Sequence, residues 1–328
     1  MCSESHQRTL LARVHQIRRE AEGVVSIELL PAKAEVSFPS FEPGSHIDLL
    51  LPNGLTRSYS LCNPAEDRNR YVVGVLNDRK GRGGSRYIHE QLRVGQEIDI
   101  SVPRNHFRLH EDAPNSVLVA GGIGVTPIFC MLQRLVARGR PVEIVYCARS
   151  RGEAAFADAI RQIADENGIP ITWHFDDEQG ARPDLTALLA QRGAESHFYC
   201  CGPAPMLDAF EKSCERLGYA NSHIERFAAP TAQPVTETSR FEVLCEVSRK
   251  SVEVPPDKSI LDVLIEAGLN PEHSCREGVC GACETTVLGC DGELDHRDSL
   301  LTKAERQAGR TMMICVSRCT GKHLVLDL

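Results

Sequence analysis

Cys275, Cys280 and Cys283 stand in the stretch CREGVCGAC, spaced by four and then two residues, and Cys315 follows at the end of the apolar run MMIC. C-x4-C-x2-C with a distant fourth cysteine is the plant-type spacing for a 2Fe-2S cluster, in which a short loop wraps three thiolates around one side. Gly278 and Gly281 let such a loop turn without Cβ clashes, so that backbone N–H groups can face cluster sulfurs. Zinc also takes four thiolates, but its usual ligands come as two C-x2-C pairs and only one is present here. A redox C-x2-C switch would leave Cys275 and the glycine loop unexplained. Cys290, in the polar GCDGE, and Cys319 compete for the fourth position; Cys315 is favoured because a buried strand would deliver it to a dry site.

A second set of residues suits a flavin. RSYSLCN, residues 57–63, places Arg57, Tyr59 and Ser60 on one strand edge: a fixed charge for a phosphate, a flat face for an isoalloxazine ring and a hydroxyl near its polar rim. By periodicity alone Tyr59 reads as an ordinary half-buried strand residue. GRGGSRYIHE at 81–90 adds a phosphate cradle, because Gly83, Gly84 and Ser85 precede a helix-like stretch and Arg82 brings charge. A bare glycine turn is the plain alternative.

A third set suits a pyridine nucleotide. AGGIGVTP at 120–127 follows an apolar strand and opens a helix; Gly122 and Gly124, after Gly121, fit the first two glycines of G-x-G-x-x-G, and Pro127 stands in place of the third and is expected to start the helix. CCGPAPM at 200–206 ends another strand on the same sheet edge, so Cys201, Gly202 and Pro203 are candidates to meet the nicotinamide, with Cys200 a buried strand residue. Phe227 closes the segment IERF and either lies over a flavin or simply packs.

The elements that must position these residues are legible as changes of texture. Alternating runs from Thr9 to about Val102, broken by Pro and Gly, predict an antiparallel sheet closed as a barrel. From about residue 112 to 228 apolar strands alternate with helical periods, including EAAFADAIRQIADENG, which predicts a doubly wound parallel α/β sheet. APTAQPVTETS, 229–239, reads as a linker, and two strand-like runs, a helix and the cysteines follow.

Composition excludes some partners. Net charge is −8, which repels nucleic acid, and no run is long enough to span a bilayer or act as a secretory leader, so a cytoplasmic protein is expected. Fourteen cysteines in that compartment point to metal or redox work rather than to disulfides.

RSYSLCN, GRGGS, AGGIGVTP, YCCGP, CREGVCGAC and the ending CVSR…LVLDL, in this order over nearly the whole length, resemble the phthalate dioxygenase reductase family, which includes vanillate O-demethylase reductases. The resemblance implies an FMN-binding barrel over 1–111, an NADH-binding domain over 112–228, the linker at 229–239 and a C-terminal β-grasp ferredoxin domain over 240–328. Carried over by position, Arg57, Ser58, Tyr59 and Ser60 would hold FMN, with Gly74, Val75 and Leu76 beside the ring, Arg82, Gly83, Gly84 and Ser85 at the phosphate, and Thr126 and Phe227 near the ring face. Leu76 and Asn77 stand where related reductases can carry basic residues, which leaves backbone contacts from that strand. The implied activity is electron transfer from NADH through FMN to the cluster and on to the oxygenase component of a Rieske-type aromatic dioxygenase or O-demethylase, from a monomer. A cluster-bearing sensor, or a self-sufficient reductase of a small molecule, are the other classes the residues allow. Arg149 and Arg151 could bind the 2′-phosphate of NADPH, whereas Asp176 and Asp177 would repel it; NADH is expected.

Overall fold

The computed structural model describes residues 9–33, 35–228 and 239–328. They pack as two compact units, the first ending at Arg226 and the second beginning at Phe227.

In the first unit, antiparallel strands β1 (Thr9–Ala21), β2 (Val24–Pro31), β3 (Ser45–Leu50), β4 (Thr56–Ser60) and β5 (Tyr71–Leu76) are followed by helix α1 (Gly84–Glu90), β6 (Glu97–Ser101) and the short β7 (Arg104–Asn105). The strand order is β4-β3-β6-β1-β2-β5, with β7 on β3. A bridge from Leu61 to Val73 joins the chain leaving β4 to β5, so the sheet closes on itself and leaves no long open edge. Alternation drives the closure: in β1, Ala12 and Val14 point inward while Leu11 and Arg13 face out. Phe38 stacks on Tyr71 at 4.2 Å inside this barrel.

The same unit continues with β8 (Ser116–Gly121), α2 (Val125–Ala137), β9 (Val142–Ala148), α3 (Ala157–Asn167), β10 (Ile171–Phe175), α4 (Asp176–Gln179), α5 (Leu185–Leu189), β11 (His197–Cys201), α6 (Ala204–Leu217) and β12 (Ser222–Glu225). All five strands are parallel, in the order β10-β9-β8-β11-β12. Every residue of β8 is buried, as a strand covered on both faces requires. The chain winds outward from β8 to β10 and then returns to β11 on the other side of β8. The crevice at the carboxyl ends of β8 and β11 is therefore the switch point where such sheets bind ligands.

Two helix starts differ from the sequence expectation. The helix expected from Glu153 begins only at Ala157, because Phe156 adopts a left-handed φ of 58° that turns its ring into the core. Helix α2 begins at Val125 rather than at Pro127, after a tight turn over Gly122–Gly124. Pro127 falls in the first helical turn, where a missing N–H costs no hydrogen bond.

The second unit contains β13 (Phe241–Cys245), β14 (Lys250–Val254), α7 (Ile260–Glu266), β15 (Glu284–Cys290), β16 (Leu294–Asp295), α8 (Lys303–Ala308), β17 (Thr311–Met313), β18 (Arg318–Cys319) and β19 (His323–Leu326). The main sheet runs β14-β13-β19-β15-β17, with β13 and β19 parallel and the other pairs antiparallel. Helix α7 buries Ile260, Leu261, Val263 and Leu264, and is capped by Ser259, which accepts the Asp262 N–H at 3.1 Å. This mixed sheet gripping one helix is the expected β-grasp. The expected strand at Cys315 stops at Met313; Cys315 lies in the turn that follows, where the Val316 N–H donates to the Met313 carbonyl at 3.1 Å. Of the expected linker, residues 229–238 lie outside the described residues. Among the described residues no helix is long and apolar enough to cross a membrane.

Candidate functional site

In the second unit, the loop between α7 and β15 brings Cys275, Cys280 and Cys283 against Cys315. All four are thiols outside any disulfide, with Cys275 in hydrogen-bonding reach of Cys280 and Cys283 of Cys315. Cys280, Cys283 and Cys315 are buried and Cys275 is partly exposed. Backbone donors point at sulfur: Glu277 N–H to Cys275 Sγ at 3.3 Å, and Cys275 N–H to Cys280 Sγ at 3.4 Å. Within each pair one thiol is held down by the hydrogen bond of its partner, Cys275 by Cys280 and Cys283 by Cys315, while that same bond and burial push Cys280 and Cys315 up. The backbone N–H groups aimed at sulfur favour thiolates, and the donor set fits a four-thiolate cluster.

The glycines are needed by shape. Gly278 and Gly281 have φ of 69° and 72°, and a Cβ at Gly278 would meet Val316 Cγ2 at 2.7 Å and the Asp298 Cα at 3.0 Å. Asp298, which sequence reasoning did not single out, anchors the floor of this loop. Its Oδ2 accepts the N–H groups of Leu300 and Leu301 at 3.0 and 2.8 Å, while Ser299 N–H donates to the Gly278 carbonyl at 3.0 Å.

In the first unit, two stretches far apart in sequence meet at the start of α1. The Arg57 guanidinium donates to the Arg82 carbonyl at 3.1 Å, and a Cβ on Gly84 would meet Arg57 Cγ at 2.5 Å. Gly83 takes φ of 88° just before α1, so the first-turn N–H groups emerge beside this guanidinium. Fixed charge and helix N–H groups around a glycine cradle fit a flavin phosphate. Tyr59 is half-buried against the barrel core, and burial pushes its phenol up.

Other predicted flavin residues have partners within the protein. Ser58 donates to Asp48 Oδ1 at 2.6 Å, helping Arg104 (2.6 Å) to satisfy a fully buried carboxylate. Ser85 Oγ accepts the Asp78 N–H at 3.1 Å, and the Val75 carbonyl is engaged by His89 Nε2 at 3.0 Å. Leu76 is 41% exposed, and Phe227 begins the second unit with 44% exposed.

The switch-point crevice is built by close backbone approach. A Cβ on Gly121 would meet Pro203 Cδ at 2.9 Å and Gly202 Cα at 3.1 Å; one on Gly124 would meet Gly202 N at 2.6 Å. Gly74 of β5 leaves room for Thr126, whose methyl lies 2.6 Å from where a Cβ would stand, and the Thr126 hydroxyl donates to the Ile123 carbonyl at 3.1 Å. Ser60 Oγ donates to Glu225 Oε2 at 3.3 Å, and Cys201 Sγ lies 4.0 Å from the same oxygen. Burial pushes the Glu225 carboxyl up to about 8 and holds the Cys201 thiol well above its usual range. Glu225 was not anticipated, although an acid closing the parallel strand SHIE at the ligand-binding edge is a usable signal.

Around the predicted ribose site, Asp176 Oδ1 lies 3.4 Å from His174 Nε2, and Asp177 N–H donates to the Arg149 carbonyl at 3.0 Å. Arg151 is paired with Glu178 at 2.5 and 3.0 Å and lies over the Phe175 ring at 4.6 Å.

Comparison with known proteins matches this layout. The family described as "2Fe-2S iron-sulfur cluster binding domain" matches residues 245–320, and "Oxidoreductase NAD-binding domain" matches residues 118–212. The solved structure of phthalate dioxygenase reductase, described as modular for electron transfer from pyridine nucleotides to 2Fe-2S, is 35% identical, with a TM-score of 0.70 and 98% of each chain covered. The chain belongs to the phthalate dioxygenase reductase family. Among curated proteins it is 45% identical over 316 residues to the phenoxybenzoate dioxygenase subunit beta of Ectopseudomonas oleovorans, covering 96% of each chain. It is 44% identical over 322 residues to the tetrachlorobenzoquinone reductase of Sphingobium chlorophenolicum, covering 98% of each. An intact type IV self-sufficient cytochrome P450 monooxygenase matches with TM-score 0.88 and 38% identity; 98% of this chain is covered, but only 41% of that one. As a phthalate dioxygenase reductase-type protein, the chain is an oxidoreductase that carries electrons from NADH through FMN to a 2Fe-2S cluster.

Proposed function

We propose that this reductase serves the oxygenase component of a Rieske-type aromatic dioxygenase or O-demethylase, working as a cytoplasmic monomer. Residues 1–111 would hold FMN, 112–228 NADH and 240–328 the cluster, whose ligands are Cys275, Cys280, Cys283 and Cys315. One observation carries the two-electron half of this reading: Ser60, Cys201 and Glu225 meet around one carboxylate oxygen, although they come from β4, β11 and β12.

FMN, when bound, supplies the conversion between a two-electron donor and a one-electron acceptor. The protein's residues bind and orient. Arg57, with Gly83 and Gly84, holds the phosphate. Gly121, Gly124 and Gly202 let two loops close on the nicotinamide and exclude water. Glu225, protonated near neutral pH, leaves an oxygen to accept the Ser60 hydroxyl and sets no negative charge against the incoming nucleotide. The Cys201 thiol stays protonated and neutral, which makes it a packing wall rather than a nucleophile. Arg151, tied to Glu178, is a poor receptor for a 2′-phosphate, which supports NADH over NADPH.

A second reading is a self-sufficient reductase of a quinone, favoured by the relative named for tetrachlorobenzoquinone reduction. One experiment separates them. Purified protein is titrated anaerobically with NADH and then NADPH while its visible spectrum is followed, and the reduced form is offered a Rieske oxygenase or a benzoquinone. Bleaching by NADH and transfer to the oxygenase is expected. Absence of flavin bands, or bleaching by neither nucleotide, would sink the reading; fast turnover with quinone and none with any oxygenase would favour the second.

A further inference from the structure

Cys290 and Cys319 were rivals of Cys315 for the cluster, but the fold gives them to each other. Their sulfurs lie 2.7 Å apart, Cys290 at the end of β15 and Cys319 in β18. The backbone holds them there. Glu293 N–H donates to Thr320 Oγ1 and Thr320 N–H to the Glu293 carbonyl, each at 2.9 Å, and His323 N–H donates to Asp291 Oδ1 at 2.9 Å. A Cβ on Gly292 would meet Gly321 Cα at 2.6 Å, so the two turns interlock only as glycines.

Asp291 lies close enough to complete a metal-ligating trio with these sulfurs. The spacing argues against that use: two thiolates on one tetrahedral zinc, each at about 2.3 Å, stand roughly 3.8 Å apart. A disulfide is about 2.05 Å long, so bonding requires each sulfur to move by only a few tenths of an ångström. Both cysteines line an open cleft of about 1090 Å³, with Cys290 partly exposed and Cys319 3% exposed. A small oxidant entering the cleft meets Cys290 first.

We propose that Cys290 and Cys319 form a redox-active pair, separate from the cluster ligands, that a hydroperoxide closes to a disulfide. The Cys290 sulfur attacks the peroxide; an S–O bond forms, the O–O bond breaks and water or an alcohol leaves, giving a sulfenic acid. The Cys319 sulfur then attacks Cys290; the S–S bond forms, the S–O bond breaks and a second water leaves. In sum two thiols lose two electrons and two protons to the peroxide. A dithiol reductant reverses the step by exchange. Cytosolic disulfides of this kind are transient and redox-sensing rather than structural. The inference goes beyond the electron-transfer reading and does not depend on it.

The test uses the full chain with its cluster loaded, treated with hydrogen peroxide at a dose that leaves the cluster's visible absorbance unchanged. The protein is then denatured, alkylated with iodoacetamide, digested with trypsin and analysed by mass spectrometry. The expected product is the peptide 277–297 joined to 319–322, two hydrogens lighter than the separate pair, linked at Cys290 and released by dithiothreitol. In Cys290→Ser, Cys319 should remain fully alkylatable. The proposal is overturned if both cysteines are alkylated in treated and untreated protein alike, or if Cys290 becomes a sulfinic acid while Cys319 stays free. It is also overturned if untreated protein carries one zinc per chain that Cys319→Ser loses.

Discussion

The cysteine loop and the proposed flavin–nucleotide junction are built in opposite ways. Cys275, Cys280 and Cys283 share one short loop, so the chain's local geometry brings them most of the way together before Cys315 arrives. Ser60 and Glu225 are 165 positions apart and meet only because the barrel and the parallel sheet pack as one unit. A locally coded site can be damaged alone; a site assembled from distant strands is sensitive to anything that moves two layers.

The largest expected effect tests the independence of the two regions. Cys280→Ser should strip the cluster and cut one-electron delivery to a protein acceptor by about 100-fold or more, while NADH-driven ferricyanide reduction stays nearly unchanged. If both rates collapse together, the regions are not separable in this way. Gly124→Ala is the converse: its Cβ would overlap the Cys201–Gly202 backbone, and misplacement on that scale should slow reduction by NADH roughly 100-fold. Stopped-flow absorbance reads the loss, and the iron content should not change.

Arg57→Ala removes a charged hydrogen-bond donor, so flavin affinity should fall about 10- to 100-fold, measured by fluorescence on dilution. Next comes Glu225→Gln. Folded protein keeps the Glu225 proton up to about pH 8, whereas the unfolded chain releases it near 4.5, so between those values the unfolded state binds fewer protons. Stability should therefore fall as pH rises through this window and level off above it. The rate of reduction by NADH should also drop by about tenfold above pH 8 as buried charge appears. The glutamine variant should flatten both profiles, and an unchanged profile would remove Glu225 from the account. The smallest effect belongs to the exposed pair: Glu178→Gln frees Arg151 and should raise NADPH use relative to NADH only about two- to fivefold, read from steady-state kinetics.

The sequence was most informative where chemistry is local. Cysteine spacing, the glycines at 278 and 281, and alternation against helical period pointed to the cluster, barrel and parallel sheet, because each rests on neighbours within a few residues. Helix starts were less legible, since nothing in EAAF signals that Phe156 will take a left-handed turn to bury its ring. Ser58 and Ser85 illustrate the same limit in the site: the sequence sets both beside a cradle, and only the fold shows that Ser58 donates to a buried Asp48 and that Ser85 accepts the Asp78 N–H.

By itself, then, the sequence determined what depends on bonded neighbours: which cysteines share a loop, where glycine must allow a turn, and which strands are covered on one face or two. Only the tertiary structure decided the partners of long-range polar groups. Desolvation makes an unmet buried donor or acceptor costly, so Glu225 with Ser60, Asp298 with the cluster-loop floor and Cys290 with Cys319 are chosen by what packing brings within reach, a property of no single stretch of chain.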